Sequence, residues 1–228
     1  MSVPLELSGS DVEDQFEASD GWRVTLDQAE LAFGPVYLCS GITAGDLCDT
    51  ARMEWLGSAV IDLLDPRVRQ VGHLNGTSGE VRSWMYDHGL ASRVDGMGYV
   101  ELDAAEQLGG HSLVLRGVAV RGSSTIPFSL DLQLMQHEET EQGVPLVRKS
   151  QSESFYRDVT GEEDALRIRF DPRSWFQSVD FDSYTDSIAS EEELVWGEDD
   201  QARRAIRNAV IVGERAQFSW PGSSGSGG

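Results

Sequence analysis

Residues 21–38, GWRVTLDQAELAFGPVYL, decide the fold. Trp22, Val24 and Leu26 fall on every second residue with Arg23 and Thr25 between them, the period of a strand that buries one face. After a turn expected at Asp27–Gln28, Leu31, Phe33 and Tyr37 share one parity and Ala32, Val36 and Leu38 the other, as in a strand buried on both faces. Gly34–Pro35 interrupts this run, and such a pair bends or bulges a strand. The stretch reads as two strands folded against each other, carrying the residues from which a core grows.

Working outward, Ala59–Leu64 is a compact apolar strand stopped by Asp65–Pro66, and Val68–Leu74 is a weaker one. Glu80–Tyr86 follows Gly79 with aromatic residues on one side, and Tyr99–Leu102 can pair locally. The clearest hairpin runs from Ser112 to Arg121, turns at Gly122–Ser124 and returns along Thr125–Met135; mixed parity around Gly117 predicts a bulge. Leu166–Phe170 alternates strictly, and Asp49–Leu56 fits neither period. Ala202, Ala205, Ile206, Ala209 and Val210 recur at three and four after Glu198–Asp200, which predicts an amphipathic helix over about 200–212. Phe218–Trp220 is a closing strand. The expected architecture is mainly β: an antiparallel β-sandwich-like domain over 21–220 with one C-terminal amphipathic helix. Residues 1–20 form a polar lead-in in which Leu5 and Leu7 add an edge strand, and 221–228 form a Gly/Ser tail.

With 228 residues the chain buries a sizeable core without staples. Its 18 basic and 39 acidic side chains give a net charge of −21, which repels phosphate backbones and argues against nucleic acid as a partner. Cys39 and Cys48 flank the Gly-containing stretch SGITAGDL, flexible enough to bring two thiols together. A disulfide, hence an oxidising compartment, is the favoured reading; two buried or free thiols are the other.

The order GWRVTLDQAELAFGPVYL, AVIDLLDP, GEVRSWMYDHGL, SLVLRGVAVRGSSTIPFSLDLQL, ALRIRFDPRSWF resembles secreted bacterial lipoproteins of uncharacterised role, of a kind common in myxobacteria. More distantly, it is similar to periplasmic copper-binding proteins associated with methanobactin uptake. The resemblance covers about Trp22–Trp220 and implies a periplasmic or cell-surface β-sandwich. It implies membrane contact only through an N-terminal lipid anchor, whose cysteine this chain does not carry. In the copper-binding relatives the ligands come chiefly from histidines and an aromatic region. Here only the strand order matches, so no ligand carries over.

The residues themselves offer three candidate metal donors. His88 follows Trp84, Tyr86 and Asp87 and precedes Gly89, a loop mouth where a nitrogen donor and aromatic walls for a ligand groove, Trp84 and Tyr86, can meet. His137 and Glu139 lie in HEETE, a loop offering imidazole and carboxylates to copper, zinc or calcium. Against both stands the reading as surface loop and solvated hairpin tip. Asp180, Asp182, Asp186 and Glu191 have calcium-loop spacing, but Thr185 replaces the required glycine, so this segment reads as an acidic linker. No G-x-S-x-G, P-loop, dinucleotide or H-E-x-x-H motif occurs, and no catalytic residue is assigned. The first functional expectation is a non-enzymatic binding or accessory protein of the bacterial envelope that meets an envelope protein partner. The alternative is a periplasmic copper or zinc binding and delivery protein.

Overall fold

The computed structural model describes all residues except 13–14, 42–50, 93–98, 137–143, 146–147, 151–155, 163–164, 188–192, 213–215 and 222–228. In chain order the strands begin with β1 (Ser2–Ser8), β2 (Phe16–Glu17), β3 (Arg23–Phe33), β4 (Val36–Cys39), β5 (Ala51–Trp55), β6 (Ala59–Asp62) and β7 (Arg69–Gly76). They continue with β8 (Gly79–Val81), β9 (Ser83–Tyr86), β10 (Leu90–Ser92), β11 (Tyr99–Glu101), β12 (Leu113–Arg121) and β13 (Ser124–Leu132). The last are β14 (Met135–Gln136), β15 (Val144–Pro145), β16 (Arg148–Ser150), β17 (Arg157–Val159), β18 (Leu166–Arg169), β19 (Leu194–Val195) and β20 (Gln217–Ser219). A short helix α1 (Asp103–Gln107) precedes β12, and α2 (Gln201–Val212) lies near the C-terminus.

Eight strands form one sheet in the order β16-β9-β4-β5-β7-β1-β18-β20, and β19-β13-β12-β3-β2 form the other, with β6 also paired to β3. The two are layers of a sandwich. Leu5, Leu38, Met53, Leu74 and Ile168 from the larger sheet meet Val24, Leu31, Phe33, Leu115 and Phe128 from the smaller in one buried cluster. The ring of Phe33 crosses this interface, 5.3 Å from Tyr86 and 5.0 Å from Phe170. Aromatic pairs at such separations add to the burial itself. The larger sheet curls until its edge strand β20 faces β9, where Phe218 stacks on Trp84 at 4.5 Å.

The expected folding of residues 22–26 against 29–38 does not occur: Arg23–Phe33 is the single strand β3, and Val36–Cys39 is a separate one. β3 belongs to the smaller sheet, and Gly34–Pro35 carries the chain across the core into β4 of the larger one. Nor does β3 turn at Asp27–Gln28. Gln28 pairs with Arg116 and Leu26 with Gly117, leaving Asp27 as an extra residue opposite β12. This bulge switches parity, so Val24 before it and Ala29, Leu31 and Phe33 after it all face the core. Gly117 permits the close approach, since a Cβ there would lie 2.3 Å from the Thr25 carbonyl oxygen.

β1 differs from the expected edge strand. It is an interior strand, antiparallel to β7 and parallel to β18, and Val3, Leu5 and Leu7 are buried. The hairpin forms as expected from β12 and β13 in continuous register. α2 buries Ala202, Ala205, Ile206 and Val210. Its first turn is tied down where the Ala202 backbone N–H donates to the Tyr184 hydroxyl at 3.1 Å.

Candidate functional site

The Gly34–Pro35 crossing is stitched to the loop after β9. Gly34 N–H donates to the Asp87 carbonyl at 2.9 Å, Asp87 N–H to the Pro35 carbonyl at 3.0 Å, and Gly89 N–H to the Gly34 carbonyl at 2.9 Å. This places His88 inside rather than at a loop mouth: it is 1% exposed, with its ring edge-on to Tyr86 at 5.5 Å. Asp87 is buried beside it, and its Oδ1 accepts the His88 backbone N–H at 2.6 Å. Burial pushes the Asp87 carboxyl up to about 8, against the downward pull of that hydrogen bond. Burial thus favours the protonated, neutral form of this carboxyl. Burial also raises Tyr37, with Glu54 and Asp87 adding to the effect.

Trp84 and Tyr86 are buried as well, packed on Phe218 and Phe33. Their faces are spent on core contacts. His137 and Glu139 lie outside the described residues. Among the described residues no three His, Cys, Asp or Glu side chains converge to hold a metal ion. Cys39 ends β4, buried, and no described cysteine is a free thiol; Cys48 lies outside the described residues. In the segment with calcium-loop spacing, Phe181–Ser187 is a 3-10 helix. Asp182 there accepts the Trp22 indole N–H at 3.1 Å and pairs with Arg121, whose guanidinium lies 4.7 Å over the Trp22 ring.

A second location has the shape of a binding site. A cleft of about 570 Å³ is lined by Glu30, Val60, Asp62, Arg69, Ser58 and Gln107, and by Asp65 and Arg67 of the turn that follows β6. That volume falls in the ordinary range for small-ligand sites. The residues reach it from three directions. Glu30 and Asp62 are register partners on β3 and β6, so their carboxylates share the outer face of the smaller sheet. Gln107 comes from α1, whose early N–H at Ala104 is held by the Ser58 hydroxyl at 3.0 Å. Arg69 opens β7 in the larger sheet.

The turn between β6 and β7 is built by its own side chains. Asp62 Oδ1 accepts Leu64 N–H at 3.0 Å, Asp65 Oδ1 accepts Arg67 N–H at 3.0 Å, and Pro66 prevents further strand. The Arg67 fork grips Asp65 through Nε and Nη2, each at 2.9 Å, holding that carboxyl at about 2. Glu30 takes only a neutral donor, Gln28 Nε2 at 2.6 Å. Across the same row of the sheet, Asp131 is neutralised by Arg116 at 2.6 Å. None of the ion pairs among the described residues includes Glu30, Asp62 or Arg69.

Sequence reasoning passed over this cleft. AVIDLLDPRVR reads as a strand and its stop, and Glu30 lies on no motif. Only the register of β3 with β6 brings Glu30 opposite Asp62. An acidic residue facing away from the core at matched positions of two strands was the one available signal.

No protein-family model matches the chain, and no curated protein matches it, so the resemblance to secreted myxobacterial-type lipoproteins finds no support. Among solved structures, MbnP from Methylosinus trichosporium is similar, with a TM-score of 0.46 and 11% identity over 92% of this chain and 87% of that one. This is a weak likeness from which no function follows. No described helix is long and apolar enough to cross a membrane.

Proposed function

We propose that the chain is a non-catalytic binding or accessory protein of the bacterial envelope, working outside the cytoplasm, and that it recognises its partner at the Glu30–Asp62–Arg69 cleft. The carrying observation is a cleft lined by charges of both signs, of which Glu30, Asp62 and Arg69 sit on strands and form no ion pair among the described residues. The backbone under Glu30, Asp62 and Arg69 is already ordered in strands, so binding costs only the freedom of the side chains themselves, which suits recognition. The described lining contains no histidine or cysteine, and its one hydroxyl, Ser58, is engaged with α1. That composition supports binding over covalent chemistry. The absence of a free described thiol supports an oxidising compartment.

Site-specific photo-crosslinking from Gln107 in the native envelope tests this reading. One discrete crosslinked partner, lost when Glu30 and Asp62 are both replaced by Lys, is the expected result. Absence of any crosslink from the cleft would remove a protein as its partner.

The metal reading rests on a different observation, the burial of His88 against Asp87 and Tyr86. Elemental analysis after dialysis against copper, zinc and calcium tests it, with His88→Ala and His137→Ala alongside. Stoichiometric metal that disappears in either variant supports delivery of that metal, and a protein that stays metal-free rules it out.

A further inference from the structure

We infer that the cleft binds a small zwitterionic ligand, a free amino acid or short peptide, with its ammonium between Glu30 and Asp62 and its carboxylate on Arg69. The inference rests on the binding reading above and adds the chemistry of the occupant. Two carboxylates directly opposite on paired strands repel each other, an arrangement that costs stability unless a cation lies between them. Elsewhere on the same row the third carboxylate, Asp131, has its arginine. Among the described residues Glu30 and Asp62 form no ion pair, although Arg67 and Arg69 line the same cleft and the Asp62 charge reaches Arg67.

The reason is architectural. Arg67 is committed to Asp65 by a bidentate fork two residues away. Arg69 is carried by the larger sheet while both carboxylates are carried by the smaller one, and among the described residues it forms no ion pair, its charge acting on Asp65. The cleft thus carries Glu30 and Asp62 on one layer and Arg69 on the other, with the Asp65–Arg67 pair beside them. A ligand that is itself a separated pair of charges completes both ends, with its ammonium donating to two carboxylates and its carboxylate accepting the guanidinium fork. Between the ends the apolar lining is Ala59 and Val60, which suits a small aliphatic side chain and offers no aromatic platform. A purely cationic or purely anionic ligand leaves one end unpaired.

The test is titration calorimetry of the full chain with alanine, dialanine and trialanine, which set the charge separation, and with N-acetyl-dialanine and dialanine amide, each lacking one charge. At least one zwitterion should bind with one-to-one stoichiometry, and at least tenfold more tightly than either blocked form of dialanine if dialanine is the best of the three. Glu30→Gln with Asp62→Asn should abolish the preference for a free amine, and Arg69→Gln the preference for a free carboxylate. Equal binding of blocked and free peptides, or no binding of any zwitterion at millimolar concentration, overturns the inference. The blocked peptides decide the matter on the unmodified chain, so a variant that folds poorly leaves the answer intact. A crosslinked partner at Gln107 together with failed zwitterion binding would retain the binding reading and discard this occupant; failure of both would discard both.

Discussion

The Asp87 carboxyl takes up a proton when the chain folds, since its value rises from 3.8 to about 8 on burial. Between these values the folded chain binds a proton that the unfolded chain has lost, so this residue makes stability fall as pH rises from about 4 to 8. The slope for one proton is about 1.4 kcal/mol per pH unit. Asp87→Asn keeps the shape and removes the titration. Urea unfolding of both proteins across this range should show the variant gaining on the parent steadily with pH, and parallel curves would show that Asp87 is ionised in the fold. Gly89, two residues on, is held by geometry instead. Its φ is +76° and a Cβ would lie 2.6 Å from the Ala32 Cβ and 3.2 Å from that of Ala105. Gly89→Ala should cost about 1–3 kcal/mol, read by the same method.

β3 carries its register through one extra residue. Deleting Asp27 removes the bulge and turns Trp22 and Val24 away from the core while bringing Arg23 and Thr25 inward. The expected loss is about 4 kcal/mol or more, seen as a collapse of the thermal transition in circular dichroism. An unchanged transition would mean that the chain before Leu26 contributes nothing to the core. The same bulge explains what was legible in this stretch. The parity switch between Leu26 and Leu31 is plain in the sequence, and a turn and a bulge both produce it. Only the long partner β12 tells them apart, and that partner lies far along the chain. The hairpin and α2 were legible because their patterns are local: period two on either side of Gly122, and spacing at three and four from Ala202 to Val210. β1 was legible as a strand but not as an interior one, because its partners β7 and β18 lie far along the chain. The cleft was hidden for the same reason, as it depends on β3 meeting β6 and on the two sheets meeting each other. His88 was visible as a residue, but its burial was not, since that follows from Gly34 pairing with the loop.

Across the molecule, a net charge of −21 sets like charges against one another over the folded surface. Screening relieves this, so the melting temperature should rise between low salt and about 0.5 M sodium chloride, where the Debye length has dropped to a few ångströms. A fall would show that pairs such as Arg167–Glu6, at 2.9 Å, outweigh the general repulsion. The parallel contact of β1 with β18 has a consequence for time. Leu5 pairs with Leu166, Arg167 joins Glu6 across 161 positions of sequence, and β20 then adds Phe218 to Trp84. Loop closure on this scale is slow, and the larger sheet has no complete set of neighbours until nearly the whole chain has been synthesised. The β1–β18 seam is therefore expected to close late in folding, after the locally paired β12–β13 hairpin has formed.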